Sequence, residues 1–484
     1  MFDFSFFGFI GTLFFNIVFP CLFGVPLVIL LFDKKFSWLF LRVVSRFMWV
    51  AFIWWFLFNL QFFYFGISWV EICVWWILLV SCLFLKIYQK KSDLFGYFWL
   101  LTFSIRTIRQ SIKNSFQSLS STQRLFVVIG GVYLFLFTTV LVLSEWIFPT
   151  YADDSFGNWH PPVMNILHDG GITLWWEDDQ VLGRGRAWYP IFFAVYKTAI
   201  ASFLWFNDIF INQSNLLFFL FGLCIIFWFV RNQTKNIFSV ILSWLIVCGL
   251  PLVFFHAIEW YLDLSSGIAL VISSIFLSLF FKEREYNRLI LCVLFVSILV
   301  SLKNDGIVYA WSIVLWAIIY GLLNNSLSIF AMSWRKYLWL FCVFSWIALP
   351  FLLLKMYYWW WFNQAAWEIS WVTVQAVHRE IFSVFPQLFF FFDNYNVILL
   401  FILFIIICKS TLYSQNNFWK HSEGLFAIIF LLIFSALLWT FLFTENYRWV
   451  LDQTTVNRVF TVVFLFFSIL VPLCSSKIIS HYEK

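Results

Sequence analysis

Two aspartates stand side by side in ADDSFGNWHPP, residues 152–162, a few positions after the apolar run TTVLVLSEWIF. An ionised carboxylate beside a hydrophobic wall is costly unless it has a task or a partner. Neighbouring carboxylates also disfavour each other's charged form, which suits Asp153 and Asp154 to general-base work or to holding a cation. His160 in the same stretch reads first as a satisfied interfacial residue and, more sharply, as a donor to a substrate phosphate. The later acids of this segment, in WWEDDQ at 175–180, read as a solvated loop.

Four further stretches carry polar residues between apolar runs. In HAIEWYLDLSSG, 256–267, Glu259 and Asp263 lie four apart and would share a face of one helix. Asp263 reads equally as a helix cap and as a functional carboxylate. In SLKNDGIVYAW, 301–311, Lys303, Asn304, Asp305 and Gly306 form a polar step with ordinary turn chemistry. A lysine is nonetheless unexpected there, and Lys303 is a candidate point-charge ligand for phosphate. The Tyr- and Trp-rich stretch 355–382 reads as an aromatic belt, and also as a surface suited to sugar rings or a polyprenyl chain. In TENYRWVLDQTTVNRVF, 444–460, Arg448 precedes Arg458, which stands at the mouth of the last apolar run. Burial there calls for an anionic partner, either a phosphate or an aspartate.

The elements that must position these residues follow from composition. Of 484 residues, 63% are hydrophobic and 11% charged, far below the charge density of a soluble protein. Repeated apolar runs of bilayer length predict an all-α, polytopic helical membrane protein with about 13 transmembrane helices. The alternation of a membrane barrel is absent. The first apolar run lacks a basic flank and a cleavage site, so it is expected to be a retained span. All nine cysteines lie in or beside apolar runs without metal-ligand spacing, which argues for buried thiols rather than disulfides or zinc.

Charge sets the expected sidedness. Lys34, Lys35, Arg42 and Arg46, then Lys86 to Arg124, mark cytoplasmic loops by the positive-inside rule. Alternation then places 231–235, 282–288, 334–336, 409–423 and the C-terminal tail inside. Segments 148–189, 257–263, 303–306, 356–385 and 444–458 fall outside and form one polar chamber. Residues 158–169 are expected to form a short interfacial helix within the large first outer loop, 148–189. Residues 190–230 hold two apolar runs split by NDIFINQS, so parity requires one of them to be re-entrant or interfacial.

The order of an outer acidic pair, an Asp opening a later span, a Lys-Asn-acidic-Gly step and a late Arg resembles the GT-C class of membrane glycosyltransferases. Within that class it looks like the protein O-mannosyltransferases and the bacterial transferases that use polyprenyl-phosphate sugars. The matching pieces are ADDSFGNWHPP, YPIFFAVYKTA, WYLDLSSGIAL, SLKNDGIVY and VNRVF. The family's acidic pair is often Asp-Glu, whereas this chain has Asp-Asp. The resemblance implies a GT-C-like catalytic domain over 125–475, an N-terminal membrane extension over 1–124 and a cytoplasmic tail over 476–484. It implies transfer of a sugar from a polyprenyl-phosphate donor to a glycan, lipid or protein acceptor, inverting if transfer is a single displacement. Asp153 would be the base, with Asp154 orienting the acceptor or tuning its neighbour. Lys303, Arg458 and Arg448 would hold the phosphate, and Asp263, Glu259, His160, Asn304 and Asp305 would support the site. No cofactor is required, although Asp153 and Asp154 could hold a divalent cation. A nucleic-acid partner is not expected. The Phe-, Ile- and Asn-rich composition fits an AT-rich bacterium, whose inner membrane would carry the site on its periplasmic face. Alternatives are a lipid-linked oligosaccharide flippase or transporter, and an O-antigen polymerase or ligase.

Overall fold

A computed structural model describes residues 113–147, 161–169, 192–204, 208–259, 261–324, 332–357, 401–409, 422–443 and 456–482, with isolated positions at 11, 44, 47 and 110. Among these residues there is no β-strand. In chain order the helices are α1 (Ser121–Ile147), α2 (Pro161–Asp169), α3 (Phe192–Leu204), α4 (Asp208–Thr234), α5 (Ile237–Cys248) and α6 (Pro251–Ile258). They continue with α7 (Leu262–Glu283), α8 (Tyr286–Leu302), α9 (Gly306–Leu323), α10 (Trp334–Tyr357), α11 (Ser422–Phe443), α12 (Val456–Phe464) and α13 (Phe467–Tyr482). Six described helical segments are long and apolar enough to cross a membrane, and a seventh if the bent pair α5–α6 counts as one span. That is the mark of an integral membrane protein. The segments expected to supply the other spans lie largely outside the described residues.

The chain divides into two compact units. The first comprises 1–121, 144–187 and 191–225; the second comprises 122–143, 188–190 and 226–484. In the first unit, α2 falls within the segment expected to be a short helix, and begins on a proline pair that suits a helix's first turn. Helix α3 has 13 residues, only about 20 Å at the helical rise, against a hydrocarbon core of ~30 Å. The shorter of the two runs in 190–230 is thus the one too short to cross upright. Most of the polar split falls within a helix. Helix α4 runs unbroken through INQSN, and Asn212, Gln213, Ser214 and Asn215 are all buried. At Asn212 a neighbouring polar group meets the burial, whereas the Gln213 amide has no partner among the described residues. Lys197 of α3 donates to Asn212 Oδ1 at 3.4 Å and lies over the Phe193 ring.

In the second unit α7 is the central helix. Every residue from Leu262 to Phe281 is buried, as expected of a helix that is apolar on all sides. Helix α8 runs back beside it, and α10 packs on α8, where Ser301 Oγ donates to the Ile347 carbonyl at 3.2 Å. Helix α12 approaches α7 closely at Gly267, where a β-carbon would meet Val462 Cα at 3.1 Å. Small residues permit such approaches between membrane helices.

Irregular backbone is repaired from neighbouring helices. Pro472 lies inside α13 and has no N–H to give the Ser468 carbonyl one turn earlier. Ser243 Oγ of α5 donates to that carbonyl at 2.5 Å instead. Helices α5 and α6 meet at a 78° bend around Gly249–Pro251. On the outside of this unit, α1 exposes Leu125, Ile129, Val132 and Phe135, and α9 exposes Trp311, an apolar coat suited to lipid.

Two sets of segments separate to opposite ends of this unit. At one end, Lys282 meets Gln233 at 2.8 Å, Arg288 meets Glu283 at 2.8 Å, and Lys477 meets Glu423 at 3.0 Å. Tyr286 donates to the Lys336 carbonyl there as well. The other end holds the site described next.

Candidate functional site

Five chain segments converge at this second end: the end of α6, the start of α7, the end of α8, the start of α9 and the start of α12. Lys303 Nζ donates to Asp263 Oδ1 at 2.5 Å and lies 3.3 Å from Asp305 Oδ2. The first two side chains are 14% and 7% exposed, so the pair is sequestered, while Asp305 at 42% opens toward the surroundings. Arg458, at the start of α12, sets its guanidinium 4.7 Å over the Tyr261 ring, and the His256 ring lies 5.0 Å from the same ring. Asp263 is within electrostatic range of Lys303, Arg458 and His256 together.

Local backbone explains this placement. Lys303 ends α8 in extended conformation, and the chain turns at once, with Gly306 N–H donating to the Lys303 carbonyl at 2.9 Å. Only glycine fits at 306, because a β-carbon would run into the Leu299 carbonyl. The tight turn returns the chain into α9 and leaves Lys303 facing α7. Asn304 contributes its carbonyl to the Ile307 N–H within the same turn. Gly267, one turn beyond Asp263, lets α12 lie against α7 and so brings Arg458 to this end.

Two expectations are corrected. Glu259 and Asp263 do not share a helix face. Glu259 ends α6 in extended conformation, and Tyr261 starts α7 afresh, so the helix is broken between them. Glu259 is buried just beyond His256. Nor is Asp263 an N-cap. Tyr261 occupies that position, no side chain caps the helix, and the Asp263 carboxylate goes to Lys303. The remaining sequence candidates, Asp153, Asp154, His160 and Arg448, lie outside the described residues, as does most of the aromatic stretch 355–382.

Sequence reasoning passed over His256. Its ring is 1% exposed, and neither nitrogen has a hydrogen-bond partner among the described residues. The available signal was GLP at 249–251, a helix-breaking run ahead of a lone polar residue. Among the described residues no group of three or more His, Cys, Asp or Glu gathers as a metal site.

Chemically the cluster joins two cations, a counter-carboxylate and an imidazole in a largely buried corner. Such an arrangement can hold an anionic oxygen cluster if Asp263 yields some of its hold on Lys303. What this fold and site define is an all-helical integral membrane protein with a sequestered charged cluster at one end of its helices. Comparison with protein-family models, curated proteins and solved structures returns no match for the chain.

Proposed function

We propose that the protein is a membrane glycosyltransferase that takes its sugar from a polyprenyl-phosphate donor, with Lys303 and Arg458 holding the donor phosphate. The observation that carries this reading is the gathering of Asp263, Lys303, Arg458 and His256, from four separate helices, at one end of an apolar bundle. In a membrane protein a buried charged cluster is a functional site by default. A phosphate anchored in lipid by its own prenyl chain is an anion that reaches this depth without a soluble carrier.

In the transfer, an acceptor hydroxyl or amine attacks the anomeric carbon while the bond from that carbon to the phosphate oxygen breaks. The acceptor's proton passes to a carboxylate, assigned to Asp153 on the sequence order, with Asp154 beside it. The bonding electron pair leaves with the polyprenyl phosphate, and Lys303 and Arg458 stabilise the charge that develops there. Arg448 and His160 are further candidates for that phosphate. Asp263 keeps Lys303 balanced and oriented when the site is empty. The outer, periplasmic face of a bacterial inner membrane is the proposed location, where nucleotide sugars are scarce.

The test is incubation of the purified protein with polyprenyl-phosphate sugars, following release of polyprenyl phosphate. Wild type should consume donor, while Asp153→Asn and Lys303→Met should each lose most turnover. Intact turnover in Asp153→Asn rejects the base assignment; intact turnover in Lys303→Met rejects the phosphate site.

A second reading, a flippase or transporter for lipid-linked sugars, is favoured by the 78° bend between α5 and α6, since broken helices line transporter sites. Proteoliposomes separate the two: a transporter moves the lipid-linked sugar across the bilayer with its phosphate bond intact.

A further inference from the structure

The donor site has a part that the charged pair does not explain. His256 is carried on α6, the short arm beyond the bend, and lies beside Tyr261 with both ring nitrogens buried and unpartnered among the described residues. A buried polar group left without a hydrogen bond costs about 1–3 kcal/mol, and native proteins seldom leave one so. Ser266 repeats the pattern. It stands three residues after Asp263, on the same side of α7, and its hydroxyl also has no partner among the described residues. Ser273, Ser274 and Ser297 donate within their own helices, and Ser243 donates to the Ser468 carbonyl of another. Ser239 and Trp316 elsewhere in this unit also lack a hydrogen-bond partner among the described residues, but His256 and Ser266 flank the charged cluster.

The Tyr261 ring is shared by two kinds of group, with the Arg458 guanidinium 4.7 Å from it and the His256 ring 5.0 Å from it. The cations suit a phosphate. The imidazole, in its uncharged form, presents one donor and one acceptor on opposite edges. A fully ionised phosphate supplies acceptors alone and can satisfy one edge. A sugar hydroxyl both donates and accepts, so a phosphate that still carries its sugar can satisfy both.

Resting on the donor reading above, we infer that His256 is a specificity-determining contact to the sugar, through which the site distinguishes the loaded glycosyl phosphodiester from the spent polyprenyl phosphate. This gives product release a structural basis: once the sugar has left, His256 loses one of its two partners and the carrier phosphate is held by the cations and a single imidazole contact.

The experiment uses the full chain in lipid nanodiscs and two kinds of probe, farnesyl phosphate and its mannosyl, glucosyl and galactosyl phosphodiesters. Dissociation constants are measured for wild type, His256→Phe, His256→Gln and Lys303→Met. In wild type at least one glycosyl probe should bind about ten-fold tighter than farnesyl phosphate, a difference of ~1.4 kcal/mol. His256→Phe should bring that ratio near one while farnesyl phosphate affinity moves less than about three-fold. His256→Gln, which keeps one donor and one acceptor, should retain several-fold preference. Should His256→Phe fail to fold, nitrogen NMR of wild type decides the matter: a glycosyl probe should shift both His256 ring nitrogens and farnesyl phosphate only one. The inference is overturned if wild type shows no preference across the three sugars, or if His256→Phe keeps it. The donor reading fails separately, whatever His256 does, if Lys303→Met binds farnesyl phosphate as wild type does.

Discussion

Removing either partner of the Asp263–Lys303 pair should cost far more than an ordinary surface ion pair, and removing both should cost little beyond one. The contact is 2.5 Å long between side chains only 7% and 14% exposed. Breaking a sequestered pair from one side leaves an uncompensated charge, with a typical cost of about 3–5 kcal/mol. Lys303→Met leaves Asp263 within range of Arg458 and His256, which places that variant at the lower end, ~3 kcal/mol. Asp263→Asn leaves Lys303 leaning on the more exposed Asp305 at 3.3 Å, with a similar cost of ~3 kcal/mol. The double variant removes both charges, so its cost should stay near 3 kcal/mol, a coupling of about 2–3 kcal/mol. Reversible unfolding in bicelles or mild detergent measures all four species. Additivity within about 0.5 kcal/mol would show that the two side chains do not interact and refute the reasoning.

Other consequences follow from the same structure. Ser243→Ala should cost about 1–3 kcal/mol by orphaning the Ser468 carbonyl, and most of that cost should vanish in a Pro472→Ala background, where an N–H returns; equal cost in both backgrounds contradicts the repair. Gly306→Ala should destabilise by about 3 kcal/mol or more, because the added carbon meets the Leu299 carbonyl, and a wild-type melting temperature would show the turn to be looser than described. Lys477→Met, at the opposite end, should lower stability by ~1–3 kcal/mol through Glu423, yet leave donor consumption within about two-fold of wild type. Loss of turnover in that variant would mean the chemistry is not confined to one end.

Much of this site was legible because charge is expensive in an apolar chain. Asp263, Lys303 and Arg458 lie far apart in sequence, yet each sits where an apolar run begins or ends, and such residues need one another or a ligand. The basic segments around 231–235, 282–288 and 334–336 gather at the end away from the site. Less is legible where polar residues interrupt an apolar run. NDIFINQS splits the two runs of 190–230, yet INQSN lies inside α4 with its amides buried and Asn212 meeting Lys197, and no residue type alone distinguishes a break from a buried polar turn. The four-residue spacing of Glu259 and Asp263 misled for a different reason: the break at the end of α6 has neither glycine nor proline to announce it. His256 carries no spacing signal of its own, and its place follows from the bend at Gly249–Pro251, which only the GLP run announces.

The central claim is that Lys303 and Arg458 receive the phosphate of a lipid-linked sugar. A structure of the protein in nanodiscs with a non-cleavable C-glycosyl phosphonate of farnesol tests it directly. The account predicts phosphonate oxygens within hydrogen-bonding distance of Lys303 Nζ and the Arg458 guanidinium, with the Asp263 carboxylate shifted from its present contact. A phosphonate bound elsewhere, with the Asp263–Lys303 pair undisturbed, would contradict it.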